Sequence, residues 1–249
     1  GKTRTALRIL ETLVTRDSID TVTIAVDGND LLDQWHKALV PTANTIGYSI
    51  TRRYRNHDEQ SFYDLNPRRR IHLCSRQRLP SVMQKLSADV KSRLLLVHDE
   101  VHRLGSPANR RDLAGLEEWI VYRLGLSATP ERAYDDQGNA FIESHIGPVI
   151  FEFPLDAAIR AGILSPFTYH PLHWRPSDED RERVQNVFKA ASAAEASGTP
   201  FTEEEIWMKI ANVYKTSEVK LPLFREFVAN HSGCLENCIV FVATKEYRS

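Results

Sequence analysis

Four polar positions, Gly28, Ser75, Asp99 and Ser127, each stand at the end of a strand-length apolar run, and stretches of helical periodicity separate the runs. No other feature narrows the fold as far. The runs are Thr21 to Val26, Ile71 to Cys74, Leu94 to His98 and Val121 to Leu126. Between and before them, apolar residues recur at three- and four-residue spacing, as in Ala6, Ile9, Leu10 and Leu13, then Leu31, Leu32, Trp35 and Leu39, and again over residues 78 to 86. Strands that alternate with helices in this way predict parallel βαβ units, hence an α/β fold whose parallel sheet is covered by helices on both faces. In such folds ligands gather at the carboxyl ends of the strands, where the four polar residues stand.

The second helix is predicted to be capped by Asn29 or Asp30 and closed by Pro41. Residues 42 to 70 read as a polar surface excursion or short hairpin. After Val149 to Phe153 comes a short helix around residues 155 to 161, then a mostly helical stretch from Asp178 to Asn230, interrupted by a loop of small residues at 196 to 200. Cys238 to Val242 reads as one more strand. With 42% apolar and 26% charged residues over 249 positions, the chain has the profile of a soluble globular protein with a real core. Its apolar runs fall far short of the roughly 20 residues that span a bilayer, so no membrane partner is expected. Three cysteines without a Cys-x-x-Cys pair argue against a disulfide framework or zinc site, and a cytoplasmic location is expected.

Two places carry chemistry. Asp99-Glu100 closes the most apolar run of the chain, and an acid at the end of a buried strand is costly unless it meets a cation or hydrogen-bond donors. Asp99 could hold Mg²⁺ and Glu100 could orient and deprotonate a water, although an N-cap pair before a loop would use the same residues. Gly1-Lys2-Thr3 opens a helix, where Lys can neutralise phosphate charge and a Thr hydroxyl can ligate the metal. The five residues that complete a G-x-x-x-x-G-K-[ST] loop are expected upstream, in a longer parent. The net charge of -1 gives no bulk attraction to a polyanion, yet Arg52, Arg53 and Arg55, with Arg68, Arg69 and Arg70, could neutralise phosphates along one groove, or stay solvated on the surface.

The ordered set Gly1-Lys2-Thr3, Asp99-Glu100-Val101-His102 and Leu126 to Pro130 resembles motifs I, II and III of the superfamily 2 helicases and translocases, with motif II of the DExH kind. Val26 to Trp35 resembles motif Ia, Leu73 to Leu79 motif Ib, and Cys238 to Thr244 motif IV. Phe151 to Leu155 with Ala157 to Pro166 is similar to the stretch that follows the first domain in the type III restriction and XPB-like branch. The resemblance implies a RecA-like P-loop domain over residues 1–153, a largely helical connector over 154–235 and the start of a second RecA-like domain over 236–249. It implies ATP and Mg²⁺ as cofactors, with Gly1, Lys2 and Thr3 on the phosphates, Thr3 and Asp99 on the metal, and Asp99 and Glu100 catalytic. His102, Ser127 and Thr129 would couple nucleotide state to the track, and Gly28, Asn29, Ser75 and Arg76 would touch a nucleic-acid backbone.

The same residues admit plainer readings. Gly28-Asn29 could be a turn and cap, Arg76 a solvated charge, and His98 a strand-end histidine with its hydrogen bonds met. Where motif Ia commonly carries Pro-Thr, this chain has Asp27-Gly28, which sets an acid near the track. Motifs V and VI, with the arginine that meets the γ-phosphate, are not in the sequence, so the isolated chain is expected to turn over ATP negligibly. The parent is expected to be an ATP-dependent DNA helicase or translocase, with a nuclease or recognition domain or subunit as partner. The alternatives are a non-catalytic nucleic-acid-binding module and an RNA-acting helicase.

Overall fold

The computed structural model describes residues 1–132 and 135–241, and the chain divides into two compact units, Gly1–Pro154 and Leu155–Ser249.

The first unit is built on a six-stranded sheet of order β3-β2-β4-β1-β5-β6. Its strands are β1 (Thr21–Val26), β2 (Ser49–Tyr54), β3 (His57–Asp58), β4 (Arg70–Ser75), β5 (Leu94–Asp99) and β6 (Tyr122–Leu126). All pairings are parallel except that of the two-residue edge strand β3, which turns back on β2. Side chains alternate between the faces of a strand, and here one set is apolar while the other mixes apolar residues with the buried Thr21, Thr23, His72 and His98. Val22, Ile24 and Val26 of β1 join Ile71, Leu73, Leu95 and Val97 in one core, while Ala25, Cys74, Leu94 and Leu96 enter a second core on the other face. The first core is closed by α1 (Lys2–Thr15) and α2 (Asn29–Ile46), through Ala6, Leu10, Leu32, Trp35 and Leu39. The second is closed by the short helices α4 (Leu79–Met83) and α6 (Pro107–Leu113) and by α7 (Asp136–Ile146), with Tyr63 of α3 (Gln60–Leu65). A further short helix, α5 (Ala88–Ser92), leads into β5. Burial on both sides explains why the central strands read as continuous apolar runs.

Three local expectations are corrected. Helix α2 runs through Pro41 to Ile46 and ends on Gly47 in the left-handed conformation, because Thr42 and Ala43 are buried and Thr42 Oγ1 donates to Glu11 Oε1 of α1 at 3.2 Å. Packing against α1 thus outweighs the proline's missing N–H. Neither Asn29 nor Asp30 caps α2; the cap is Gly28, at φ 95°, a conformation that side chains rarely adopt. Residues 42 to 70 are largely regular, carrying the end of α2, the β2–β3 hairpin and α3.

The second unit contains α8 (Leu155–Arg160), α9 (Asp178–Ala196), α10 (Glu203–Lys215) and α11 (Lys220–Asn230). Helices α9 and α10 each begin in a capping box, Ser177 with Asp180 and Thr202 with Glu205, which satisfies otherwise orphaned N–H groups. Asp180 is buried and also accepts from Ser217 Oγ at 2.6 Å, tying the start of α9 to the end of α10. The stretch from Cys238 to Phe241 has no regular structure, and Val242, Ala243 and Thr244, the rest of the strand and motif expected there, lie outside the described residues. No described helix is long and apolar enough to cross a membrane.

Candidate functional site

Register places the expected residues side by side. Val26 pairs with Ser75, and Asp99 pairs with Leu126, so the carboxyl ends of β4, β1, β5 and β6 form one row, with Gly28, Glu100 and Ser127 just beyond it. Asp99 is buried, and its carboxylate is held from two directions. Trp35 Nε1 of α2 donates to Oδ2 at 2.8 Å, and the Glu100 backbone N–H donates to Oδ1 at 3.0 Å. Glu100 sits in the left-handed region at φ 48° and ψ 57°, which costs about 1 kcal/mol for a residue with a Cβ. That turn lifts the Glu100 side chain out of the strand line. Its Oε1 accepts from Lys2 Nζ at 2.8 Å, across 98 residues of sequence.

Lys2 and Thr3 lie in the first turn of α1, with Gly1 as its cap, and no acidic residue occupies that turn. Both Lys2 and Glu100 remain partly accessible, at 38% and 30% side-chain exposure, so the ion pair faces an approachable space. A helix start, an amine and the Glu100 carboxylate meet there, one residue from Asp99, which suits a phosphate with a hard divalent cation.

Motif III is brought to the same place. His102 lies in the 3-10 turn Val101–Gly105, and its Nδ1 is 3.0 Å from Ser127 Oγ and 3.5 Å from Glu100 Oε2. Ser127 Oγ also accepts from the Thr129 backbone N–H at 3.1 Å, while Thr129 itself is exposed. Burial lowers the His102 pKa, with Glu100 opposing, so the ring is mainly neutral at pH 7. Arg132 donates to the His102 carbonyl at 2.9 Å and to Asp135 Oδ2 at 2.6 Å, and so clamps the turn from behind.

Next to this row an open polar groove of about 720 Å³ is lined by Gly28, Asn29, Ser75, Arg78, Arg103 and the tip of the β2–β3 hairpin. Three of the four expected nucleic-acid residues line it; Arg76 does not. Its side chain is 1% exposed, with one guanidinium nitrogen on the Asp27 carboxylate and another donating to the Asp99 carbonyl at 2.5 Å. Burial lowers its pKa, while Asp27 works against that fall. Arg76 is thus neither a solvated charge nor a groove contact: it ties the ends of β1, β4 and β5 together. The departure of Asp27 from the motif Ia pattern gains a physical reason, since the acid neutralises this buried cation.

The two arginine clusters do not share a groove. Arg53 and Arg55 line it from the hairpin, whereas Arg68 lies beyond the opposite, amino end of the strands, bound to Asp20 and Asp89 at 2.6 Å each. His98 is fully buried with neither ring nitrogen hydrogen-bonded among the described residues, and it meets His145 edge-on at 5.5 Å between ring centroids. Burial pushes its pKa well below the usual value, so the ring stays neutral. Sequence reasoning missed Trp35 as a partner of Asp99, Asp27 as a partner of Arg76, and Arg103 as a groove residue. An odd acid in a motif was the one signal available for any of them.

A family model described as type III restriction enzyme, res subunit, matches residues 1–132. Among solved structures the chain is similar to the Hef helicase domain of Pyrococcus furiosus, at 15% identity and a TM-score of 0.48. That match covers 95% of this chain and 50% of the other, so the chain spans about half the length of that structure. No curated protein matches the chain significantly. With its α/β sheet, its strand-end motifs and a match over more than half its length, the chain belongs to the family of type III restriction enzyme res subunits, within the superfamily 2 helicases.

Proposed function

We propose that Gly1 to Pro154 is the ATP-binding half of a DNA helicase or translocase, in which ATP hydrolysis drives movement along the nucleic acid. The observation that carries this reading is the convergence of Lys2, Glu100, His102 and Ser127, from the start of α1, the turn after β5 and the end of β6, on one accessible space next to Asp99. Bound Mg²⁺·ATP would supply the phosphoanhydride and the charge that its cleavage redistributes. In this reading Lys2 and the first turn of α1 neutralise phosphate charge, and Thr3 and Asp99 offer the hard oxygen ligands that Mg²⁺ prefers. Asp99 is already oriented for this by the Trp35 indole. Glu100, released from Lys2 when the amine turns to a phosphate, accepts a proton from the attacking water. His102 senses that change through its contact with Glu100 and passes it to Ser127 and Thr129. Gly28, Asn29 and Ser75 present the floor of the groove to a sugar-phosphate backbone, a repeating feature suited to movement because it does not depend on base sequence. The residues from Leu155 onward would act as the connector toward a second RecA-like domain, and a nuclease or recognition subunit would complete the system in the cytoplasm.

The test is ATP hydrolysis by the full-length protein with and without single-stranded DNA, alongside Glu100→Gln. Loss of a general base removes about 10²–10⁴ of rate, so hydrolysis is expected to fall by that factor while nucleotide binding persists. Hydrolysis unchanged by Glu100→Gln would overturn the assignment, and stimulation by RNA but not DNA would overturn the choice of track.

A further inference from the structure

Arg103 stands where the nucleotide side of the site and the groove meet. It follows His102 in the Val101–Gly105 turn, so one short segment sends His102 toward Glu100 and Ser127 and Arg103 into the groove. The segment is braced as a unit, with Arg132 donating to the His102 carbonyl at 2.9 Å and Asn109 Nδ2 donating to the Arg103 carbonyl at 2.7 Å. The Arg103 side chain is 57% exposed, and the carboxylate within ion-pair range is Asp27, at 3.9 Å. Asp27 is already neutralised by Arg76, with which it makes the closer contact. A half-exposed cation at the edge of ion-pair range exchanges partners readily, because such pairs are weak and screened.

The other groove cations differ. Arg53 is bound to Gln60 Oε1 and Ser81 Oγ at 2.7 Å each, and Arg55 to Asp30 at 2.6 Å and Asp33 at 3.1 Å. Arg78 is exposed and has no carboxylate partner among the described residues. Arg103 and Arg78 are therefore the groove cations ready to meet an anion, and a groove of about 720 Å³ accommodates a chain of phosphates better than a lone phosphate ion.

We propose that Arg103, together with Arg78, binds the phosphodiester backbone of the DNA, and that capture of a phosphate by Arg103 moves the turn that carries His102, so that occupancy of the groove is reported to Glu100. This rests on the nucleic-acid-dependent ATPase reading above and adds to it the residue that links track to hydrolysis.

The experiment uses the full-length protein and a fluorescently labelled single-stranded DNA, with binding followed by anisotropy over a salt series. Each phosphate contact on a single strand contributes about 0.7 to the slope of log K against log salt. Arg103→Ala and Arg78→Ala are each expected to lower the slope by about that amount. Arg110→Ala is the control: Arg110 lies outside the groove and donates to Gln137, and its loss is expected to leave the slope unchanged. At saturating DNA, Arg103→Ala is further expected to reduce the ratio of DNA-stimulated to unstimulated ATP hydrolysis, whereas Arg78→Ala, on a separate segment, keeps it. An unchanged salt slope in Arg103→Ala overturns the contact. A lowered slope with an unchanged stimulation ratio overturns the reporting role. A parent protein with no salt-dependent binding of DNA, or of RNA of the same sequence, overturns the underlying functional reading itself.

Discussion

Asp27→Ala removes the carboxylate from a guanidinium that has almost no access to water, and its cost can be worked from the geometry. Breaking a buried ion pair by deleting one partner costs about 3–5 kcal/mol, because the remaining charge is left uncompensated. Two features here reduce that figure. Asp27 is 27% exposed, so water reaches its side of the pair, and Arg76 keeps its bond to the Asp99 carbonyl at 2.5 Å. A loss of about 2–3 kcal/mol follows from the lower end of that range. For a unit of this size such a loss lowers the melting temperature by about 5–10 °C. Denaturant unfolding followed through tryptophan fluorescence measures it, with the midpoint falling and the slope unchanged. Asp27→Asn keeps an acceptor but not the charge, and is expected to lose about half as much, since charge-assisted hydrogen bonds are roughly twice as strong as neutral ones. The double variant Asp27→Ala/Arg76→Met is expected to recover part of the loss, because no buried charge remains. Asp27→Ala within about 0.5 kcal/mol of the parent, the range of ordinary surface changes, would refute the reasoning.

Burial brings His72, hydrogen-bonded to Thr51 Oγ1 at 2.9 Å and stacked on Tyr63, down to a pKa of about 4. The folded ring therefore resists protonation while the unfolded one takes a proton below its ordinary pKa of 6.5, so its contribution to stability is intact above that pH and falls as pH drops toward 4. The total is about 3 kcal/mol at 1.36 kcal/mol per unit; His72→Phe is expected to flatten that limb in melting curves taken from pH 7 to pH 4, and an unaltered limb would count against it. At Gly125 an added Cβ would lie 2.9 Å from Val101 Cγ2 and 3.2 Å from Ile146 Cγ2. Overpacking at about 1–3 kcal/mol outweighs the gain of about 0.5–1 kcal/mol that alanine brings to a strand, so Gly125→Ala should lower the melting temperature, and a rise would show the pocket to be roomier than described. Trp35→Phe removes the donor to Asp99 Oδ2; on the proposed reading, in which Asp99 holds Mg²⁺, loss of an orienting partner of the ligand weakens metal affinity by about 10-fold or more. Mg²⁺ titration of nucleotide binding in the full-length protein should show this with metal-free nucleotide affinity preserved, and an unmoved Mg²⁺ half-saturation would remove Trp35 from the site.

What the sequence disclosed and what it hid divide along the distance between partners. Strands, faces and the row of polar ends were legible because burial on both sides leaves unbroken apolar runs, and because Ser75, Asp99 and Ser127 follow those runs directly. Lys2 and Glu100 could be assigned to one site in advance through their motifs, although 98 residues separate them, but their ion pair could not. Arg76 could not be placed, since a lone arginine after a strand looks the same whether it is solvated or buried; its acid lies 49 residues away. The same holds for the indole of Trp35, which reads as core by periodicity and is core, yet turns its one polar atom to Asp99, 64 residues on. The continuation of α2 through Pro41 was hidden for a related reason: its support comes from α1, and local propensity says nothing of a neighbouring helix.

Glu100 occupies a left-handed backbone position that glycine or asparagine would fill at less cost. Backbone cost alone therefore favours replacing this glutamate, whereas the proposed chemistry requires an acid beside Asp99. β-Branched residues are barred on both counts. The position is one where a gain in foldability and a gain in chemistry cannot be had by the same substitution, so a variant of this domain chosen for stability alone is expected to give up its acid here.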